Sequence, residues 1–595
     1  MHGLCAGHGP NRVILPELFY NRKQNCLYAF AAIRLPMQST PALDGRAALI
    51  NLNTPTSMQQ RSLGPVGPTG FLSRRVTKWA ACALLAGAVL APAMAQTSTL
   101  KIIPSTNITV LDPIWTTAYV TRNFGYMVYD TLFATDLEGH VKPQMVDKWK
   151  VSADNKTWSF TLRDGLEFHD GKPVTSEDVV ASVKRWASRD TFGAQLAKNM
   201  ERYETPDAKT FVFVLKEPFG LVLEALGKPS SNVPFIMPKR IADTSGDTQI
   251  KETVGSGPYV FKADEFRPGE RAVFTKNTRY KPRAEAPSGT AGGKNVYVDR
   301  VEWLLIRDAQ TQMNALLNGE ADILEQPAFE QYATLRTHPD IQLVDAQPAG
   351  NQFILRFNFL QPPFDNEKVR RAAMLALGQE AFLRTQVGTP GLTRYCKSMF
   401  PCGTLFESEQ TGEYTGIANP AKAKALLAEA GYKGEPVVLM RPTDNATIGK
   451  LPLVAKQQLE QAGFKVDMQA MDWSTLVARR AKKDAPSAGG WSAFMTSWTA
   501  SDILNPITMA MMNATGDKGW FGWQNDPKLE EIKAQFAQAK TDAEKKKLAT
   551  AAQLRAFETA THVPVGQYNQ PAAVRKTVSG LVPAGAQVYW NIKKQ

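Results

Sequence analysis

The feature that most constrains this chain is the stretch at residues 157–186, TWSFTLRDGLEFHDGKPVTSEDVVASVKRW. Trp158, Phe160 and Leu162 alternate with polar residues, which predicts a strand with one buried and one solvated face. Asp-Gly at 164–165 and Asp-Gly-Lys-Pro at 170–173 are turn signals, so the segment between them is expected to return as a hairpin.

A helix is predicted directly after the second turn. Thr175 and Asp178 have the spacing of a capping box, and Val179, Val183 and Trp186 fall on one helical face. Strand, hairpin and capped helix together form a compact α+β unit. The unit contains no catalytic grouping.

Length and charge set limits on the fold and on partners. At 595 residues the chain is too long for one hydrophobic core and should form two or three lobes. The net charge is +13, but nine basic and two acidic residues lie within 1–95, which leaves 60 basic against 54 acidic residues in the remainder. A surplus of six over 500 residues gives no reason to expect a nucleic-acid partner.

Residues 1–95 are expected to be an extended N-terminus that ends in a signal peptide. A basic segment at 73–78, a short apolar run at 79–90 and Ala93-Met94-Ala95 predict cleavage after Ala95. Arg74-Arg75 leaves both the Sec and the Tat routes open, and Met58 is an alternative start. Ala88 stands where a lipobox needs cysteine, so the protein is not expected to be a lipoprotein.

Cysteine usage agrees with export. Cys5, Cys26 and Cys82 lie in the N-terminal region, which leaves Cys396 and Cys402 in YCKSMFPCG. Two thiols six residues apart in an oxidising compartment predict a small loop disulfide. A metal site is the alternative, but no histidine is near in sequence.

Several sequence segments of the mature chain resemble those of one protein family. They are the phrase TWSFTLRDGLEFHDGKPVTSEDV, Leu-Asp-Pro at 111–113, Gly-Ser-Gly-Pro-Tyr at 255–259, and the segment from Phe-Asn at 357–358 to Val-Arg-Arg at 369–371. In this order they resemble the signature of family 5 solute-binding proteins, which serve ABC importers for oligopeptides, dipeptides and nickel chelates. The resemblance covers nearly all of the chain after residue 95.

The resemblance implies an α/β fold of the periplasmic binding protein type, with two lobes and a hinge (class II, cluster C), and an extra subdomain inserted in the first lobe. Lobe I is expected at 96–140, 251–348 and 565–595, the inserted subdomain at 141–250, and lobe II at 349–564.

The resemblance also implies a ligand site between the lobes. Trp498, Asp502 and Pro506 match the family's Trp, Asp, Pro pattern, in which the Asp pairs with the α-ammonium of a peptide, although Asp502 comes one residue later than in many members. Trp115, Thr117 and Tyr119 are candidate wall residues from the first lobe, with a place in an aromatic satellite of the core as the alternative.

Three more candidates come from the residues themselves. Trp520 and Trp523 lie in a tryptophan-rich segment beside Asp502. Arg356 stands on a mostly apolar strand, where it would either bind a carboxylate through two hydrogen bonds or, as we expect, reach solvent.

Enzyme activity is not expected. The mature chain has four histidines and no HExxH, GxSxG or Walker pattern. We therefore expect a monomeric periplasmic receptor that binds peptides without cofactor or metal and delivers them to the membrane permease of an ABC transporter. Opines, oligosaccharides and nickel chelates are alternative ligands, and a secreted hydrolase is a weaker alternative.

Overall fold

The computed structural model describes residues 98–539 and 541–595, so the expected signal peptide and extended N-terminus lie outside the described residues. The strands are β1 (Thr99–Ile103), β2 (Asp130–Thr131), β3 (Phe133–Thr135), β4 (Val141–Pro143), β5 (Val146–Val151), β6 (Thr157–Leu162), β7 (Met200–Glu204), β8 (Thr210–Leu215), β9 (Phe235–Ile236), β10 (Tyr259–Phe261), β11 (Arg271–Lys276), β12 (Arg300–Leu304), β13 (Ile323–Leu324), β14 (Ile341–Val344), β15 (Asn351–Phe357), β16 (Thr393–Arg394), β17 (Val437–Pro442), β18 (Val466–Met471), β19 (Ala493–Thr499), β20 (His562–Tyr568), β21 (Ala572–Arg575), β22 (Val578–Ser579) and β23 (Lys593–Lys594).

The α-helices connect and cover these strands. They are α1 (Tyr119–Val128), α2 (Ser176–Ala187), α3 (Thr191–Asn199), α4 (Val222–Leu226), α5 (Lys239–Ala242), α6 (Ala309–Leu317), α7 (Tyr332–Thr337), α8 (Glu367–Ala376), α9 (Gln379–Gln386), α10 (Pro420–Glu429), α11 (Leu451–Gln461), α12 (Trp473–Arg479), α13 (Pro527–Gln538) and α14 (Asp542–Glu558). Within the described residues no helix is long and apolar enough to cross a membrane.

Three sheets organise the described part of the chain. A mixed seven-stranded sheet has the order β10-β11-β12-β1-β13-β21-β14, a mixed six-stranded sheet has the order β16-β20-β15-β19-β17-β18, and an antiparallel four-stranded sheet has the order β5-β6-β8-β7. The four-stranded sheet lies within the segment expected to form the inserted subdomain. Strand β20 belongs to the six-stranded sheet and spans the expected boundary at 564–565; the domain ranges themselves stay a prediction.

Residues 157–186 fold largely as their pattern predicts. In β6 Trp158, Phe160 and Leu162 are buried while the residues between them are half-buried. The Thr175 side chain accepts from the backbone N–H of Asp178, and the Asp178 carboxylate accepts from that of Thr175, which confirms the capping box at α2. The short return after the first turn does not pair with β6, however. It forms a bridge between Glu167 and Pro173, and β6 pairs instead with β5 and β8.

Gly255 and Gly257 lie between residues 157–186 and the C-terminal end of α1. A Cβ on Gly255 would stand 2.0 Å from the carbonyl oxygen of Val128, so a side chain cannot be accommodated there. The backbone N–H of His169 donates to the Gly255 carbonyl at 2.8 Å, and its ring Nε2 lies 3.2 Å from the carbonyl oxygen of Gly257. Burial lowers the pKa of His169 to about 4. The histidine is therefore a neutral residue with a structural role.

A buried ion pair fixes the segment that begins at Asp112. Its carboxylate accepts two hydrogen bonds from Arg185 in α2, at 3.0 and 2.7 Å, and both side chains are almost fully buried. The same carboxylate accepts from the backbone N–H groups of Ile114 and Ile250 at 3.0 Å. This single side chain therefore holds the start of the 113–119 segment against α2.

Asn232 fixes the middle of the same segment. Its side-chain amide donates to the carbonyl oxygens of Pro113, Ile114 and Thr116 at 3.1, 2.9 and 3.0 Å. The irregular backbone of the segment thus satisfies its buried acceptors through one side chain.

Cys396 and Cys402 form a disulfide, with their Cα atoms 5.7 Å apart. Both residues are buried, and they lie between β16 and α10 in the second half of the chain.

We predict that Asp112→Asn lowers the free energy of unfolding by about 3–5 kcal/mol, because the substitution leaves the Arg185 guanidinium buried without its counter-charge. Urea denaturation followed by circular dichroism measures the loss. Glu204→Gln is the control, since Glu204 pairs with Arg202 at an exposed position and should leave the urea midpoint unchanged. Equal midpoints for all three proteins would contradict the structural role of Asp112.

We also predict that a chain beginning at Gln96 and denatured without reductant exposes no reactive thiol. The same sample should expose two thiols after reduction, because Cys396 and Cys402 are then the cysteines it contains. Titration with a thiol reagent gives both counts. Two thiols before reduction would show that the pair is not oxidised.

Candidate functional site

The site is built around Asp502, which follows strand β19 in a short 3-10 turn. The residue is 1% exposed. Its Oδ2 accepts hydrogen bonds from Tyr119 Oη at 2.7 Å, from Ser230 Oγ at 3.0 Å and from Thr499 Oγ1 at 3.3 Å. Its Oδ1 is buried and has no hydrogen-bond partner within the described residues. One half of the carboxylate is therefore fixed, and the other half remains an available acceptor.

The surroundings of Asp502 act on its pKa in opposite directions. Burial raises the pKa of its carboxyl group above the usual value, while the positive charges of Lys228 and Arg122 and the hydrogen bonds from Tyr119 and Ser230 act to lower it. Burial is the largest of these effects, so the ionised form is disfavoured relative to an aspartate in water. An additional positive group at Oδ1 would favour ionisation.

Tyr119 connects the 113–119 segment to the Asp502 carboxylate. It is the first residue of α1, and its hydroxyl both donates to Asp502 and accepts from the backbone N–H of Thr499 at 2.7 Å. The Arg122 guanidinium lies 4.3 Å from the centre of the Tyr119 ring and also donates to Ser230. The residues that surround Asp502 thus come from three distant parts of the chain.

Tryptophan rings continue from Asp502 toward a large cavity. Trp498 is almost fully buried, with its ring edge-on to those of Tyr119 and Trp520 at centroid distances of 6.4 and 5.2 Å. The Nε1 of Trp498 is a buried donor without a partner in the described part of the chain. The structure thus has an unpaired acceptor on Asp502 and an unpaired donor on Trp498, two side chains that both contact Tyr119.

The cavity has a volume of about 980 Å³. Four of the candidate residues line it, namely Trp115, Thr117, Trp520 and Trp523. Tyr119, Trp498 and Asp502 are not among its lining residues, although the ring of Trp498 packs against that of Trp520. Asp502 is thus connected to the aromatic lining of the cavity through the contacts of Tyr119 with Trp498 and of Trp498 with Trp520.

Arg356 does not reach solvent, contrary to expectation. Its side chain is fully buried and donates to the carbonyl oxygens of Phe521 at 2.8 Å, Met511 at 3.1 Å and Thr561 at 2.7 Å. Burial, together with the nearby charge of Arg370, lowers the pKa of the guanidinium to about 9. Arg356 is not among the cavity-lining residues. Its contacts instead fix the loop that carries Trp520 and Trp523.

Arg480, which sequence reasoning did not select, lies beside the cavity. It follows α12, is 2% exposed, and donates to Thr117 Oγ1 at 3.3 Å. In the sequence it stands in the run Arg479-Arg480-Ala481-Lys482-Lys483, which has the composition of a solvated basic surface. Only the fold distinguishes the buried arginine from its neighbours.

One group of side chains within the described residues has the arrangement of a metal site. Potential ligand atoms of Asp136, Glu138 and His140 lie within 4.8 Å of one another at the turn between β3 and β4. The Asp136 carboxylate already accepts from the backbone N–H of His140 at 2.8 Å and pairs with Lys142 at 3.5 Å. These contacts account for the cluster as turn structure.

Comparison with known proteins identifies the family to which the chain belongs. The model of the bacterial extracellular solute-binding proteins, family 5, matches residues 140–520. A probable peptide ABC transporter periplasmic-binding protein of Sinorhizobium fredii (strain NBRC 101917 / NGR234) is 38% identical over 491 residues, which are 82% of this chain and 92% of the relative.

Solved structures show the same fold. The binding protein AgaA of A. tumefaciens R10, in complex with agropinic acid, has a TM-score of 0.71 at 24% identity, over 84% of this chain and 99% of that one. A dipeptide-binding protein of Pseudoalteromonas sp. SM9913, in complex with Met-Leu, has a TM-score of 0.68 at 20% identity, over 84% and 100% of the two chains. The expected fold class is thereby confirmed. With its family model matched over more than half of its length, the chain belongs to the bacterial extracellular solute-binding proteins of family 5.

Proposed function

We propose that this protein is the periplasmic receptor of an ABC importer and captures peptides through their α-ammonium group at Asp502. The observation that carries the proposal is the state of this carboxylate, whose Oδ2 accepts three hydrogen bonds while Oδ1 is buried and has no partner within the described residues. An ammonium group at Oδ1 would complete the pair in a low-dielectric site, where charge-assisted hydrogen bonds are strong.

Capture requires the cleft to open and close. With lobe I at 96–140, 251–348 and 565–595, the inserted subdomain at 141–250 and lobe II at 349–564, the bond from Tyr119 to Asp502 connects the two lobes. A ligand that contacts both lobes favours the closed form by the difference between its contacts in the two forms. A micromolar complex corresponds to about −8 kcal/mol, which a buried ion pair, backbone hydrogen bonds and contacts with Trp498 and Trp520 can supply.

The remaining features follow from this role. Peptide would be passed to the permease subunits in the inner membrane by a monomeric receptor without enzyme activity. Export through Sec or Tat without lipidation would place the receptor in the periplasm. The relative in Sinorhizobium fredii, named as a probable peptide ABC transporter periplasmic-binding protein, supports this assignment.

An opine is the second candidate ligand. The structure of AgaA holds agropinic acid on the same fold, at 24% identity and over 84% of this chain. An opine would use the tryptophans as apolar contact surfaces. Native mass spectrometry of the protein purified without refolding distinguishes a peptide from an opine by the mass that co-purifies.

We predict that Asp502→Asn weakens the binding of a dipeptide at least tenfold. The amide keeps the shape of the side chain but removes the charge that holds the ammonium group. The free energy of unfolding without ligand should not fall, because burial disfavours the carboxylate charge. Isothermal titration calorimetry gives the affinity and urea denaturation the stability. An unchanged affinity would remove Asp502 from the site.

We predict in addition that dipeptide affinity of the wild-type protein falls as the pH is lowered through the pKa of Asp502. Burial raises this pKa, so protonation begins at a higher pH than for an exposed aspartate and removes the charge that the ligand needs. The affinity is thus fully present above the raised pKa and is lost below it. Calorimetry over a pH series measures the decline, and Asp502→Asn should show a flat profile over the same range. A wild-type profile as flat as that of the variant would contradict the ion pair.

A further inference from the structure

Arg480 is a buried cation without a counter-charge in the part of the chain that the structure describes. The residue is 2% exposed, has no acidic side chain within ion-pair distance among the described residues, and its Nε is without a hydrogen-bond partner there. Its Nη2 donates a hydrogen bond to Thr117 Oγ1 at 3.3 Å. Burial of an unpaired charge is costly, and proteins normally pair such groups or use them.

The surroundings of Arg480 offer aromatic faces in place of an acid. Its guanidinium carbon lies 4.7 Å from the ring centre of Phe521, and 5.9–6.0 Å from those of Trp473, Phe494 and Trp520. Cation–π contacts offset part of the desolvation cost but leave the hydrogen-bonding capacity of the group unused. The flat guanidinium is thus held in position with donors to spare.

The position of Arg480 connects it to the ligand cavity. Thr117, Trp520 and Phe521, which contact its guanidinium, all line the cavity, as does the next residue, Ala481. Arg480 itself is not among the lining residues, so its guanidinium lies behind this part of the cavity wall.

The charge of the cavity points to the same kind of ligand. Its three acidic lining residues are all paired, Asp190 with Lys228, Asp247 with Arg189 and Asp517 with Lys483. Two further lining lysines, Lys198 and Lys518, have no acidic partner among the described residues. The lining therefore has an excess of positive charge, which favours an anionic group.

We propose that Arg480 is a specificity-determining residue that receives a carboxylate of the ligand through the two-pronged hydrogen bond of a guanidinium. This inference rests on the function proposed above and extends it. Thr117 contacts Arg480, and Tyr119, two residues further along the same segment, contacts Asp502. The cleft thus has an acceptor for a positive group and a donor for a negative group, and selects solutes that carry both an ammonium and a carboxylate.

The test compares Ala-Phe with its C-terminal amide, which differ only in the carboxylate, by calorimetry. Wild-type protein should bind the free acid at least tenfold more tightly than the amide. In Arg480→Gln this ratio should fall below twofold, whereas Asp502→Asn should weaken both probes and keep the ratio. Arg480→Lys retains the charge without the two parallel donors of the guanidinium and should give an intermediate ratio. It serves as the second variant if the glutamine protein does not fold. Arg384→Gln, at an exposed position away from the cavity, is the control and should keep the wild-type ratio.

The outcomes separate this inference from the function on which it rests. A tenfold preference that persists in Arg480→Gln, or its absence from the wild-type protein, overturns the role of Arg480 and leaves peptide binding intact. A melting temperature that falls in Arg480→Gln with the ratio unchanged would assign Arg480 a structural role and also overturn the inference. A wild-type protein that binds neither probe overturns the proposed function, and this inference with it.

Discussion

The ion pair between Asp112 and Arg185 is the interaction on which the candidate site depends. It is buried on both sides and ties the loop before α1 to the capped helix α2. The loop has no regular structure of its own up to Tyr119, so its backbone must be held by side chains from elsewhere, and Asn232 supplies three of these contacts. Trp115, Thr117 and Tyr119 are therefore positioned by contacts from α2 and from Asn232, although their own sequence contains no structural signal.

Preorganisation explains the arrangement of Asp502. Three donors hold one oxygen of the carboxylate, and their cost in side-chain entropy is met when the protein folds rather than when a ligand binds. Tyr119 occupies a central place because its hydroxyl contacts both the carboxylate and the backbone of Thr499. A change in the separation of the lobes proposed here would alter this bond, so the state of the carboxylate and closure of the cleft are coupled.

The sequence predicts the local units well because their signals are local. The alternation in β6 and the capping box of α2 each depend on residues close together in the chain, and each is present. Residues 367–386 form two helices, α8 and α9, which are separated at Leu377-Gly378. A Cβ on Gly378 would stand 2.5 Å from the backbone nitrogen of Ala418, so a tertiary contact rather than a local signal determines the break.

The arginines show where local reasoning ends. Arg356 alternates correctly on its strand, but the second layer that covers that face is formed by chain more than a hundred residues away, which no local pattern reports. Arg480 lies in a basic run, and burial there depends on the distant aromatic residues Phe494, Trp520 and Phe521. In both cases the local sequence does not report which distant residues pack against the arginine.

Asp502 and Arg480 are buried groups of opposite charge, and each has a polar atom without a hydrogen-bond partner within the described residues. This state supports the binding role that is proposed for them. If stability alone were selected, Asp502 and Arg480 would be replaced by apolar residues of similar volume, because burial disfavours the charge on each. In the proposed function, keeping both costs stability, and a zwitterionic ligand would return it by pairing with the two groups at once. Such a site also discriminates strongly, because a solute that lacks either charge leaves a buried group unpaired on binding. On this proposal, the stability that the free protein gives up would be the source of its specificity.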